Sequence, residues 1–270
     1  MQFNHVVVVP VIAARHSRAA VLLVSCACGV VFLGGCKAET TPRPFASSRT
    51  MTARHTADPV NIDGVLDDPV WGQTPTYQLL LGEDRLAEGN RLRERGEVRL
   101  AWDEHHFYAA IEFHDSDIVA GYDVNQVHHY QKGDLVELLL KPEHQTWHWE
   151  LYATPRNRKT SFWWPQQGTL TVRKCGLRIA ARCRGTLNDS SDKDRSWTAE
   201  MAMPVRDLTT QDQPFGPGSQ WRILVSRYNH ESTLSSPELS AVPRLSRTDF
   251  QLTDEFAPLK LVGQPGAAAD

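Results

Sequence analysis

From Val60 to Val262 the chain never sustains a helical period. Apolar and polar residues alternate for a few positions at a time, and Gly, Pro, Asn or Asp interrupts each run. A helix able to cover a sheet needs apolar positions three and four apart over ten or more residues, so this pattern leaves strands as the building unit. Glu97–Trp102 and Phe107–Phe113 flank Asp103-Glu104-His105-His106 and read as a hairpin. Leu135–Leu140 stops before Pro142. Trp147–Tyr152 alternates large rings with polar groups and stops before Pro155. Gly176–Arg182, Trp197–Met203, Trp221–Tyr228 and Leu259–Val262 bring the set to about eight to ten strands, with a short helical turn expected over Val205–Leu208 after Pro204. Many short strands in one continuous stretch predict an all-β fold: a single antiparallel sandwich.

The N-terminal residues have a different character. Arg15, His16 and Arg18 precede an apolar run from Ala19 to Gly35, the charge-then-apolar order of an export signal. The run ends in Leu33-Gly34-Gly35-Cys36, which resembles the bacterial lipobox. That resemblance implies lipidation of Cys36, and two acyl chains bury enough methylene groups to hold a protein on a membrane. The segment after it is rich in Thr, Pro, Arg and Ser and reads as a flexible tether. The expected organisation is therefore a signal over 1–35, a linker over 36–57, one domain over 58–263 and a tail over 264–270. The expected location is the cell envelope or surface, anchored to the membrane.

Composition narrows the partners. With 41% hydrophobic and 23% charged residues the chain is of globular type. Residues 1–35 hold two of the 29 basic residues and none of the 32 acids, so the remainder carries a formal charge near −5. A mildly acidic surface speaks against nucleic acid, whose phosphates require a basic face. Of the five cysteines, Cys26 and Cys28 lie in the signal and Cys36 in the lipobox. Cys175 and Cys183 remain, and in an oxidising compartment they are either a disulfide pair or two free thiols.

Beyond pattern, Val60-Asn-Ile-Asp-Gly-Val-Leu-Asp-Asp-Pro-Val-Trp71 resembles the opening of family 9 carbohydrate-binding modules and their relatives, I-D-G-x-L-D-[DE]-x-x-W. The match continues in order through Val98–Tyr108, His114–Asp117, Gly133–Glu137, the Trp197–Pro204 segment (W-x-x-E-x-x-x-P) and Phe256–Leu261. The resemblance implies an immunoglobulin-like sandwich, related to the DOMON group, that binds sugar without catalysis. It also implies an aromatic clamp, placed here on Tyr130 and Phe250, with Glu137 as polar contact. Both rings are smaller than Trp, and Glu150 stands where some members place a basic residue, so sugar specificity does not transfer.

Other residues compete with the clamp as candidates. Trp71, Trp102 and Trp197 are expected in the core. Trp163 and Trp164 offer a second sugar platform, but neighbours on a strand point to opposite faces, so at most one can face a ligand. His105, His106, His128, His129 and His148 lack zinc or covalent-haem spacing; with Met201 and Met203 they sustain a haem-binding alternative of the DOMON type. Asp115, Asp117, Asp134 and Glu137 are the carboxylates best placed for structural calcium or for glycosidase chemistry. The expectation is a monomeric, non-catalytic carbohydrate binder without cofactor that captures polysaccharide or assists separate hydrolases, with a scaffold whose sugar site has decayed as a further alternative.

Overall fold

The computed structural model describes residues 50–166, 168–209 and 211–263. The signal, Cys36 and the 264–270 tail lie outside the described residues. Within them the strands are β1 (Met51–His55), β2 (Tyr77–Gln78), β3 (Gly96–Trp102), β4 (His106–His114), β5 (Leu135–Pro142), β6 (His148–Ala153), β7 (Lys159–Gln166), β8 (Thr169–Val172), β9 (Arg178–Arg184), β10 (Ser196–Pro204), β11 (Trp221–Asn229), β12 (Glu238–Val242) and β13 (Ala257–Val262). Two short helices accompany them: α1 (Glu83–Ala87) and α2 (Val205–Leu208), the latter at the helical turn expected after Pro204.

The strands form one curled sheet in the order β8-β7-β6-β5-β11-β13-β1-β3-β4-β10-β9, with β12 added on β11 and β2 on β3. Its two halves face each other. Leu138, Trp149 and Ile223 from β5, β6 and β11 share one core with Leu100, Ile111 and Met201 from β3, β4 and β10. Trp102, Trp147, Trp149, Trp197 and Trp221 fill that core. Trp71 is buried in a smaller cluster against Tyr108 and Ala110. The fold is thus an all-β sandwich made from a continuous sheet.

Pairing is antiparallel except at β1, which lies parallel to both β13 and β3. This strand falls inside the segment expected to be a tether. Met51 and Ala53 point into the core, and the sheet takes up the chain at Met51 rather than after Asp58.

Buried acids pin the loops to the sandwich, and they are the acids of the motifs. Glu200, fully buried on β10, accepts hydrogen bonds from the Asp63 and Gly64 N–H groups at 3.0 and 2.9 Å and from Trp71 Nε1 at 3.0 Å. One carboxylate therefore ties the opening motif to the W-x-x-E strand. Gly64 is required there: its φ is +81°, and a Cβ would lie 3.1 Å from the Ala181 carbonyl carbon. Asp103 closes the β3–β4 hairpin by accepting from the His105 and His106 N–H groups and from the Tyr108 hydroxyl. Asp134 accepts from the Val119 and His230 N–H groups.

Several sequence expectations change here. Asp115 meets Arg227 at 2.9 Å and accepts from Trp197 Nε1, so it and Asp134 serve an ion pair and loop contacts. Asp117 accepts from the Ser232 N–H. Among the described residues no group of three or more His, Cys, Asp or Glu side chains is arranged to hold a metal ion. Met201 and Met203 are buried in the core, away from any surface that haem could reach. Cys175 and Cys183 are both free thiols. β9 runs extended from Arg178 to Cys183, which carries Cys183 about 16 Å from the start of that strand. Cys175 lies before the strand begins, and a disulfide needs Cα atoms within about 7 Å. Cys183 Sγ instead contacts the Pro155 carbonyl oxygen.

Candidate functional site

Strand alternation builds the site. On β5 the odd positions Leu135, Glu137 and Leu139 turn away from the sandwich core that takes Val136, Leu138 and Leu140. Register then places Glu137 between Tyr152 of β6 and Ser226 of β11. Two residues along each neighbour, on the same face, stand Glu150 and Tyr228. Trp164 of β7 pairs with His148 of β6, and their rings stack at 5.6 Å. The outer face of four strands thus gathers two carboxylates and three large rings.

Two loops turn this face into a cleft of about 380 Å³. The 3-10 turn His129–Gln131, with His128 before it, supplies one wall. The Thr248–Gln251 segment supplies the other. Tyr130 stacks on Tyr228 at 5.3 Å with 29° between planes, and Phe250 meets Tyr228 edge-on at 5.4 Å. The two residues expected to clamp a sugar therefore share one cleft with Glu137, with Tyr228 between them. Phe250 is only 7% exposed and packs with Leu139, Leu224 and Phe256, so Tyr130 and Tyr228, each half-buried, present more ring to the cleft.

Trp163 and Trp164 separate as neighbours on a strand must. Trp164 lines the cleft and donates through Nε1 to Glu150 Oε2 at 2.7 Å. Trp163 packs against the core, with the Arg173 guanidinium 5.0 Å from its ring centre, and is removed from the candidate binding residues. Sequence reasoning did not find Tyr228, Tyr152 or His128 as cleft residues. The alternation Leu224, Ser226, Tyr228 was readable in β11, but only the register with β5 shows which side of that strand meets Glu137.

The floor is electrostatically unusual. Glu137 accepts from Ser226 Oγ at 2.6 Å. Glu150 accepts from the Tyr152 hydroxyl, from Trp164 Nε1 and from Gln251 Nε2 at 3.3 Å. The two residues stand on one face of adjacent strands, close enough for the Glu150 charge to act on Glu137. Burial, and then the neighbouring Glu150 charge, push the Glu137 carboxyl well above the ordinary carboxylate range; Glu150 is raised by burial as well. The pair thus retains a proton in the folded state at pH values where an unfolded glutamate has lost it.

Folding takes up a proton above about pH 4.5, so this pair's contribution to stability declines as pH rises from there towards the folded-state value. Glu137→Gln keeps an acceptor for Ser226 and removes the Glu137 titration. Its stability relative to the parent should rise with pH above about 4.5, by up to ~1.4 kcal/mol per pH unit over the titrating window, seen as a rising difference in Tm. Thermal melts of both proteins across a pH series check this; a flat difference contradicts it.

No family model matches the chain, and no curated protein matches it. Among solved structures it is similar to a candidate carbohydrate-binding protein from Bacteroides uniformis, with a TM-score of 0.62 and 11% identity over 79% of this chain and 99% of that one. It is also similar to a family 9 carbohydrate-binding module from Caldicellulosiruptor kristjanssonii. In the complex of that module with cellotriose the TM-score is 0.54 at 14% identity, covering 82% of this chain and 98% of that one. In its complex with glucose the values are 0.52 and 13%, covering 82% and 100%.

Proposed function

The chain has the fold of a family 9 carbohydrate-binding module, and from that premise we propose that it binds carbohydrate, non-catalytically, in the cleft between Tyr130, Trp164 and Tyr228. The observation that carries this reading is the cleft itself. Ring faces suited to the C–H side of a pyranose stand over two fixed carboxyls suited to its hydroxyls. Catalysis is disfavoured by the same geometry. Glycosidase carboxyls face substrate between them, whereas Glu137 and Glu150 are already engaged by Ser226, Tyr152, Trp164 and Gln251 of the protein itself.

Binding of cello- and xylo-oligosaccharides measured by calorimetry tests the site. Tyr130→Ala and Trp164→Ala should each weaken binding about tenfold, the worth of one lost ring contact of 1–2 kcal/mol. Parent-like affinity in both variants, or no binding of any oligosaccharide by the parent, would refute the assignment.

The setting proposed for this domain is a monomeric lipoprotein of the cell envelope that captures glycan, as an aid to polysaccharide breakdown. Its support is the sequence Leu33-Gly34-Gly35-Cys36 after the apolar run. Cys36→Ser should move the protein from the membrane to the soluble fraction on cell fractionation; unchanged membrane association sinks the anchor.

A further inference from the structure

Glu137 and Glu150 lie on the cleft floor without a cationic partner. No Lys or Arg lines the cleft, and neither residue takes part in an ion pair among the described residues. Every donor they receive from the protein's own side chains is neutral: a serine and a tyrosine hydroxyl, an indole N–H and an amide. The cations on neighbouring elements are engaged elsewhere. Arg227 of β11 points to the opposite face and holds Asp115. Lys141 of β5 bonds the Pro142 and Glu143 carbonyls. Lys132 lies over the Tyr122 ring. Arg247 takes Asp249, the third acid of the cleft, at 2.9 Å.

His128 is the one ionisable base in the walls, and its buried Nδ1 has no hydrogen-bond partner. A carboxyl pair with one proton between its members still carries a negative charge. A neutral sugar would offer that charge only more neutral donors. An ammonium group supplies three donors and cancels the charge, and it gains further from the electron-rich faces of Tyr130, Tyr228 and Trp164 around it.

We propose that the preferred ligand of this cleft is an amino sugar, a glycan unit with a free protonated amine that sits against Glu137 and Glu150 beneath the aromatic rings. This inference rests on reading the cleft as a carbohydrate site and adds the chemical class of the carbohydrate. The amine supplies what the protein omits, a positive charge at the floor.

The test uses three trimers with the same ring and linkage that differ only at C2: β-1,4-linked glucosamine, N-acetylglucosamine and glucose. Each is titrated into the full-length chain in detergent at mildly acidic pH. The glucosamine trimer should bind at least about tenfold more tightly than the other two. Added salt should shrink that preference, and in Glu137→Gln/Glu150→Gln, checked for folding by its thermal melt, the ratio should fall to about one. Equal binding of the glucosamine and glucose trimers by the parent overturns the amino-sugar proposal while leaving the cleft a sugar site. Failure of all three to bind overturns both. Because the decisive comparison is made on the parent, it does not depend on the variant folding.

Discussion

Replacing Arg227 with methionine should destabilise the domain by about 3–5 kcal/mol, the cost of stranding a buried charge by removing its partner. Arg227 is 1% exposed, and its guanidinium donates to Asp115 and to the His114 carbonyl, both at 2.9 Å, while lying 4.7 Å from the centre of the Phe113 ring. Asp115 is equally buried. Even with Arg227 beside it, burial outweighs the guanidinium and lifts its carboxyl to about pKa 6. Methionine fills much of the volume but leaves Asp115 and its neighbour Asp134 without compensation, and they must then take protons to remain inside. The urea midpoint should fall at neutral pH and recover in part at acidic pH. It should also recover in Arg227→Met/Asp115→Asn, whose double-mutant cycle isolates the pair. A loss below about 1 kcal/mol at neutral pH would show that the ion pair is not holding β4 to β11.

Glu200→Ala should cost about 3 kcal/mol or more. It strands two backbone N–H groups and the Trp71 indole N–H, each worth about 1–3 kcal/mol when left buried and unmade. The effects will not sum in full, because the loop can rise towards water. That escape is itself measurable. Amide hydrogens around residues 61–73 should exchange faster in the variant, while β5, β6 and β11 on the cleft side keep the protection expected from the reduced global stability alone. Glu200→Gln retains one acceptor oxygen but turns an NH₂ towards donors, so it should fall between parent and alanine variant. Uniform loss of protection across the sandwich would mean that the opening motif is not a separately anchored flap.

The strands were readable where alternation was strong. β3, β4, β5, β6, β10 and β11 carry apolar residues at every second position facing the sandwich core, and the period of two in a pleated strand leaves that mark in sequence. β1 was not readable. Met51 and Ala53 are its only core residues, one of them small, and the run follows a Thr-, Pro- and Ser-rich stretch, so nothing local distinguishes it from a tether. β8 alternates two threonines with Leu170 and Val172, and Val172 is exposed, so the strand has no buried stripe to mark it.

The site was legible in the same uneven way. Tyr130, Glu137 and Phe250 could be nominated from motif positions, yet their meeting in one cleft depends on pairings between strands far apart in sequence. Tyr228, the ring between them, follows from the register of β11 on β5. Trp163 and Trp164 show the limit most plainly: alternation says that they diverge, and only the fold says which one turns outward.

The parallel pairing of β1 with β13 joins Met51 to Leu259, residues 208 positions apart. The seam at the middle of the sheet is therefore the first described strand against the last, and it cannot close until the chain has been made through Val262. Until then a growing chain exposes the edges of β3 and β11, and a chain truncated before Ala257 exposes them permanently. The two halves of the described sheet are joined only once the six-residue β13 is in place.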